Sequence, residues 1–279
     1  MMKYFNRLLI SCILTFLLFF KINSQQKIDT FSNGKPIEIF ADNGIEWHKN
    51  EKKYIAKGNA RAIQDDFVVT SDLLEAYYAE ENNSETKIIL LKAKGNVIIN
   101  NKSAKISGGK IGIFDVRKDY FKINGSNLVM VSQDDQLKAK KKIEFWRKEN
   151  IAIATGKAVA RKENKYILRA HRLAWYLDRN KKTADEDFTI KKIIGFKNVE
   201  IENDNEIAFS DKALYNNIKE ECKLFGNVRI KRGENFLTGD IAVINMKTGV
   251  SKLLPNKFNG INKTEERVKA LISKDNTDD

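Results

Sequence analysis

One short strand with a glycine at its centre recurs along the chain, and this repetition limits the fold more than any other feature. It reads "KYIAKGNARA" at 53–62, "LKAKGNVII" at 91–99 and "KLFGNVRI" at 223–230. The glycine falls at Gly58, Gly95, Gly125, Gly156 and Gly226, with Lys197 standing in its place in the fifth of six copies. Strand interiors normally avoid glycine, which packs nothing and is costly to order. Its regular return therefore marks a position where the backbone must do something a side chain would prevent.

Each copy is followed by a second strand: "TSDLLEAYY" (70–78), "SGGKIGIF" (107–114), "KKKIEFW" (140–146), "AHRLAWY" (170–176), "SDKALY" (210–215) and "TGDIAVI" (238–244). Turn formers such as "QDD", "KENK" and "RGEN" separate the strands. The repeating unit is thus a hairpin of about 30 residues. Within it, apolar residues alternate with polar ones: Ala60 and Ala62, Val97 and Ile99, and Val228 and Ile230 follow the glycine at the same two offsets. The second strands place Leu74 with Ala76, Ile111 with Ile113, Ile143 with Phe145, Leu173 with Trp175, and Ala213 with Tyr215 on one face. Alternation at period two with one apolar face predicts an antiparallel sheet wet on the other side. The third copy fits least well, because Asn127 interrupts its apolar face.

A glycine at the same place in every rung lets the sheet fold along one line, or admits a bulge there. The expected architecture is all-β: a bent trough of about six stacked hairpins, some 12 strands plus two to four from the ends. Ordinary bulges in a sandwich are the alternative reading of the same glycines.

The N-terminus reads as a targeting segment. Lys3 and Arg7 precede the apolar run "LLISCILTFLLFF" (8–20), which is shorter than a membrane span of roughly 20 residues. Residues 1–24 are expected to be a signal peptide removed near Ser24, or an uncleaved anchor, since Lys21 directly follows the run. Without Lys3, Arg7 and Lys21 the charge falls from +13 to +10 over 255 residues, an excess that suits an anionic partner. Export argues against nucleic acid. Cys12 leaves with the signal, so Cys222 remains alone and no internal disulfide can form.

The segments "IEIFADNGIEW" (37–47), "YIAKGNARA" (54–62) and "VVTSDLLEAYY" (68–78) resemble the LptA/organic-solvent-tolerance (OstA-like) domain family, and "LTGDIAVINMKTGVSKLL" (237–254) with "RVKALI" (267–272) resembles the end of such a domain. The resemblance implies a taco-shaped β-jellyroll over 25–254, followed at 255–279 by a short strand and an acidic, disordered tail. It further implies a periplasmic carrier, without cofactor, that shelters the lipid A acyl chains of lipopolysaccharide between inner and outer membranes. LptC-like and LptD-like jellyrolls would dock at its open sheet ends, and head-to-tail self-association would compete with them. An LptC-like anchored component is the nearest alternative. On this reading the interior face that meets acyl chains carries Leu74, Ile113, Ile143, Phe145, Leu173, Trp175 and Val228. Each methylene sheltered there is worth about 0.8 kcal/mol. Lys57, Lys92, Lys94, Arg169 and Arg172 could meet phosphates or simply solvate a strand face.

A secreted β-solenoid enzyme acting on polysaccharide is the competing class. It would need clustered acids and bases, whereas His48 and His171 stand apart with no ligand spacing around them. Asp72, Asp211 and Asp240 recur once per hairpin, without a partner acid, and suit turns or edges better than calcium. The chain is read as a non-enzyme without a metal.

Overall fold

A computed structural model describes residues 36–80, 86–101, 104–132, 135–162, 166–180, 187–203, 206–245, 247–248, 250–255 and 268–272. The expected signal segment and most of the tail lie outside them. The described residues form β-strands joined by turns. They are β1 (Glu38–Phe40), β2 (Ile45–His48), β3 (Lys53–Gln64), β4 (Phe67–Glu80), β5 (Thr86–Asn100) and β6 (Lys105–Asp115). There follow β7 (Tyr120–Asn124), β8 (Leu128–Ser132), β9 (Asp135–Ala139), β10 (Lys142–Trp146), β11 (Ile151–Lys162) and β12 (Tyr166–Asn180). The last are β13 (Asp187–Glu202), β14 (Ile207–Asn216), β15 (Glu221–Arg232), β16 (Asn235–Asn245), β17 (Ser251–Leu254) and β18 (Lys269–Leu271).

All of these belong to one sheet, and every pairing is antiparallel. Eight of the strands are half-length. β1 and β2 together span β3, β7 and β8 span β6, β9 and β10 span β11, and β17 and β18 span β16. Counting each such couple as one rung leaves fourteen rungs, each bonded to the rungs next to it in sequence. This matches the expected hairpins plus a rung at each end.

The expected fold line is present. Register slips by a residue or more between Lys57 and Ala60, Lys94 and Val97, Thr155 and Ala158, Phe196 and Val199, and Phe225 and Val228. At each slip two successive residues adopt positive φ: Gly58–Asn59, Gly95–Asn96, Gly156–Lys157, Lys197–Asn198 and Gly226–Asn227. One left-handed residue is normally tolerated only as glycine or asparagine. Paired across five long strands, these residues crease the sheet into two leaves.

Gly125 departs from the pattern: it has no positive φ, and the third copy breaks there altogether into β7 and β8. Backbone crowding accounts for the break. A Cβ on Gly125 would stand 2.3 Å from the Gly108 carbonyl oxygen, and one on Gly108 would stand 2.1 Å from that of Asn127.

The carboxylates assigned to turns or edges in fact sit at the crease. Asp72 accepts hydrogen bonds from Asn96 Nδ2 at 3.0 and 3.1 Å, and Asp211 accepts from Asn227 Nδ2 at 2.8 Å. Asp42 does the same for Asn59 at 2.7 Å. Beside two of them, Ser71 donates to the Leu73 carbonyl and Ser210 to that of Lys212, spanning the bend within one strand. A carboxylate from the preceding rung thus holds each of these left-handed asparagines in place.

Candidate functional site

Alternation puts one face of both leaves inside the fold. In the leaf before the crease of β4, Phe67 reaches across to Phe114 in the other leaf, with ring centroids 6.0 Å apart and edge-to-face. Phe114 stacks on Phe121 at 6.1 Å, and Phe121 lies 5.8 Å from Phe145. Cross-strand register explains the chain of rings: Leu91, Phe114, Phe121 and Phe145 face one another on successive rungs. Around them Ala62, Val69, Ala76, Leu91, Val97 and Ile123 are fully buried. Between β3 and β10 the interior is therefore a packed core, closed by aromatic contact between the leaves.

Beyond β10 the same inner rows loosen. Phe145 is followed by Ala152, Trp175, Ile193, Tyr215 and Cys222 at matching register, and the first four of these are only half-buried. On the facing leaf Ala160, Leu168 and Ile201 are half-buried too. The floor at the crease stays tight, with Ala158, Leu173, Val199, Leu224 and Val228 buried. Across β11 to β13 the interior is thus an apolar trough with a solid floor and parted walls, which closes again on Ala208, Cys222 and Ile230. Burial pushes the Tyr215 hydroxyl above its usual pKa, with Glu220, Cys222 and Tyr166 adding to the shift, so it stays neutral within this lining. Burial likewise pushes the Cys222 thiol up to about 12.

Six of the seven expected interior residues face inward. Leu74, Ile143, Phe145, Leu173 and Val228 are packed core, and only Trp175 lies on the parted wall. Ile113 is the exception: it sits on the outer face, paired with Lys92 and Lys122, while Gly112 and Phe114 point inward. The assigned parity was one residue out in β6 because two of its inward positions, crowded by Val97 and Ile123, are held by glycines that carry no apolar signal. A Cβ on Gly109 would meet Ile123 Cδ1 at 2.4 Å, and one on Gly112 would meet Val97 Cγ1 at 3.1 Å. Ile193, Leu168 and Ile201 were missed as wall residues. Their parity was readable, but which rungs stay parted is decided by bulk across the crease.

The basic residues named from the sequence all lie on outer faces. Lys57 bonds Glu46 and lowers that carboxyl's pKa, with His48 helping. Lys94 pairs with Glu75 at 3.4 Å, and Arg169 bridges Glu200 and Glu202. His48 contacts Glu46 and Glu51 at the sheet edge. Among the described residues no group of three or more His, Cys, Asp or Glu is arranged to hold a metal ion.

Both terminal rungs present open backbone. Among the described residues, β1 and β2 bond only β3, and β17 and β18 bond only β16. Trp47 at one end is 60% exposed and Ile272 at the other 78%. Val243, in the uncharged stretch of β16, is not at the free edge: it pairs with Lys223 on one side and Lys252 on the other, because β17 continues the sheet past it.

Residues 138–250 match the family described as LptA/(LptD N-terminal domain) LPS transport protein. Of the segments that carry the resemblance in the sequence only 237–254 overlaps this match, which contains the parted part of the interior. The crystal structure of LptH, the LptA homologous periplasmic component of the lipopolysaccharide transport device of Pseudomonas aeruginosa, is similar over 50% of this chain and 95% of that one. Identity is 13% and the TM-score 0.42. No curated protein matches the chain.

Proposed function

We propose that this chain is a periplasmic component of lipopolysaccharide transport, and that it shelters acyl chains between the parted walls of its C-terminal half. The carrying observation is the contrast within one sheet. The same inner rows are zipped by Phe67, Phe114, Phe121 and Phe145 up to β10 and left half-open on both leaves from β11 to β13. The matched family segment covers that open part. A row of apolar side chains left half-exposed on an inner face is an incomplete core. Acyl chains would complete it at about 0.8 kcal/mol per methylene buried.

In this reading the buried members of the expected site, Leu74, Ile143, Phe145, Leu173 and Val228, shape the trough, while Trp175 and Tyr215 touch the ligand. LptC-like and LptD-like jellyrolls, or a second copy, would add strands to the open rungs at β1/β2 and β17/β18. A photo-crosslinking residue at Trp175 or Tyr215 should capture lipopolysaccharide, whereas one at Ile113 or Lys94 should not. Equal capture from inner and outer positions would overturn the proposal.

A further inference from the structure

The outer face of the first leaf changes character along the sheet. Near the N-terminus most of its cations are matched by carboxylates, Lys57 with Glu46, Lys94 with Glu75 and Lys142 with Glu144, while Lys92 lies 4.7 Å from the Tyr77 ring centroid. From β12 to β14 the partners become aromatic. Arg172 lies 4.4 Å from the Phe196 ring centroid, Lys192 lies 3.9 Å from that of Tyr176, and Lys212 stands between Phe196 and Phe225 at 5.7 and 6.0 Å. Among the described residues none of these three cations has a carboxylate partner.

Beneath them runs an outer row that is apolar rather than polar. Ile153, Ala174, Ile194 and Leu214 are cross-strand neighbours, and Ala174 and Ile194 are only 4% and 8% exposed. The face expected to be wet is therefore an apolar strip under a layer of unneutralised charge. Arg172 and Lys212 flank Phe196 on adjacent rungs, so they stand about 10 Å apart at ordinary strand spacing.

We infer that this face docks on an anionic lipid bilayer surface. Long cationic side chains can lay their stems on apolar groups and turn their heads toward phosphates. Aromatic rings with a polar edge, such as Tyr176, suit the headgroup level. Charge complementarity selects the partner: the three cations of the strip outnumber its one exposed acid, Asp178, so the face repels a basic surface and attracts an anionic one. Docking by this face leaves the interior trough and both sheet ends open, so it is independent of whether the trough holds acyl chains.

The test is co-sedimentation of the full chain with vesicles of phosphatidylcholine alone or with about a third phosphatidylglycerol, where each basic residue at the surface contributes about fivefold. The wild-type chain should prefer the anionic vesicles, and the preference should weaken with added salt. R172Q/K192Q/K212Q should lower that affinity roughly a hundredfold. K57Q/K94Q/K118Q, which removes the same charge from the other half, should leave it nearly unchanged. If the first triple variant loses its strand signal in circular dichroism, K192Q/K212Q replaces it, with a loss of roughly 25-fold expected. Equal losses in the two triple variants would reduce the effect to net charge and overturn the inference. Indifference of the wild type to phosphatidylglycerol would also overturn it, and would leave the face to a protein partner.

Discussion

Asp72 occupies the space that a side chain on Gly95 would need. A Cβ built on Gly95 would stand 2.1 Å from Asp72 Oδ2, and Gly226 meets Asp211 in the same way at 2.5 Å. Crease glycine and clasping carboxylate are thus two halves of one device. Gly95→Ala should combine left-handed strain with overpacking and cost about 2–4 kcal/mol in urea unfolding. A cost under about 0.5 kcal/mol would mean that the crease is not under this constraint.

Lys197 is the exception that the device explains. Register places His171, not an aspartate, in the clasping position opposite Lys197–Asn198. The copy that lost the glycine also lacks the carboxylate; the Gly156 copy lacks it too, with Lys141 in that place, but keeps its glycine. Lys197→Gly should stabilise the protein by up to about 1 kcal/mol by relieving left-handed strain at φ 61°. His171→Asp alone should destabilise it, and the double substitution should gain more than the singles sum to. Strict additivity in the double-mutant cycle would refute the coupling.

Phe145 and Trp175 occupy the same inner row on opposite sides of the transition from closed to parted interior. Phe145→Ala should cost about 3–5 kcal/mol of stability, as expected for a fully buried ring. Trp175→Ala should cost less than half of that and instead weaken lipopolysaccharide capture. Thermal denaturation and crosslinking yield, measured on both variants, would expose a reversed order at once.

The hydrogen bond from Asn245 N to the Val250 oxygen sets the phase of the last full hairpin. It makes Ile244–Ser251 a non-hydrogen-bonded pair, so the Ser251 N–H points to the open edge. Ser251→Pro should remove an edge donor without disturbing β16. Sedimentation should then show self-association weakened while the circular dichroism spectrum is kept. A monomer at all concentrations before substitution would refute strand addition at this end.

Cys222 gives a pH signature. Burial disfavours the thiolate, with Glu221 adding to the effect, and pushes the thiol up to about 12 in the fold from its ordinary 9.0. The unfolded chain therefore releases this proton first. The thiol's contribution is fully present below about pH 9 and is lost as the pH rises towards 12. Within that window the wild type should lose up to about 1.4 kcal/mol per pH unit more than Cys222→Ala. Parallel pH curves for the two proteins would show that the thiol is accessible.

The sheet, its crease and its inner face were legible because each is written several times over. What the sequence concealed was decided once, by packing. Ile113 alternates as an interior residue should, yet the inward positions beside Val97 and Ile123 are held by Gly109 and Gly112. Val243 sits in an uncharged stretch that suits an edge, but β17 pairs beyond it. The aspartates looked like turn residues because the carboxylate-to-asparagine contact joins positions 24 and 16 residues apart. Ala174 and Ile194 belong to an apolar row on a face assigned to solvent, visible only when four separate rungs are set side by side.

Among the described residues every rung bonds only to its neighbours in sequence, and this bears on how the chain acquires its shape. No strand waits for a distant segment before it can pair, so the entropy of closing each loop is that of a single hairpin. Such low contact order favours rapid zippering from any local nucleus, and a chain delivered end first could lay down rung upon rung as it arrives. The same locality makes length an adjustable quantity. Inserting a hairpin, or deleting one, changes the number of rungs without rewriting the pairings of the others.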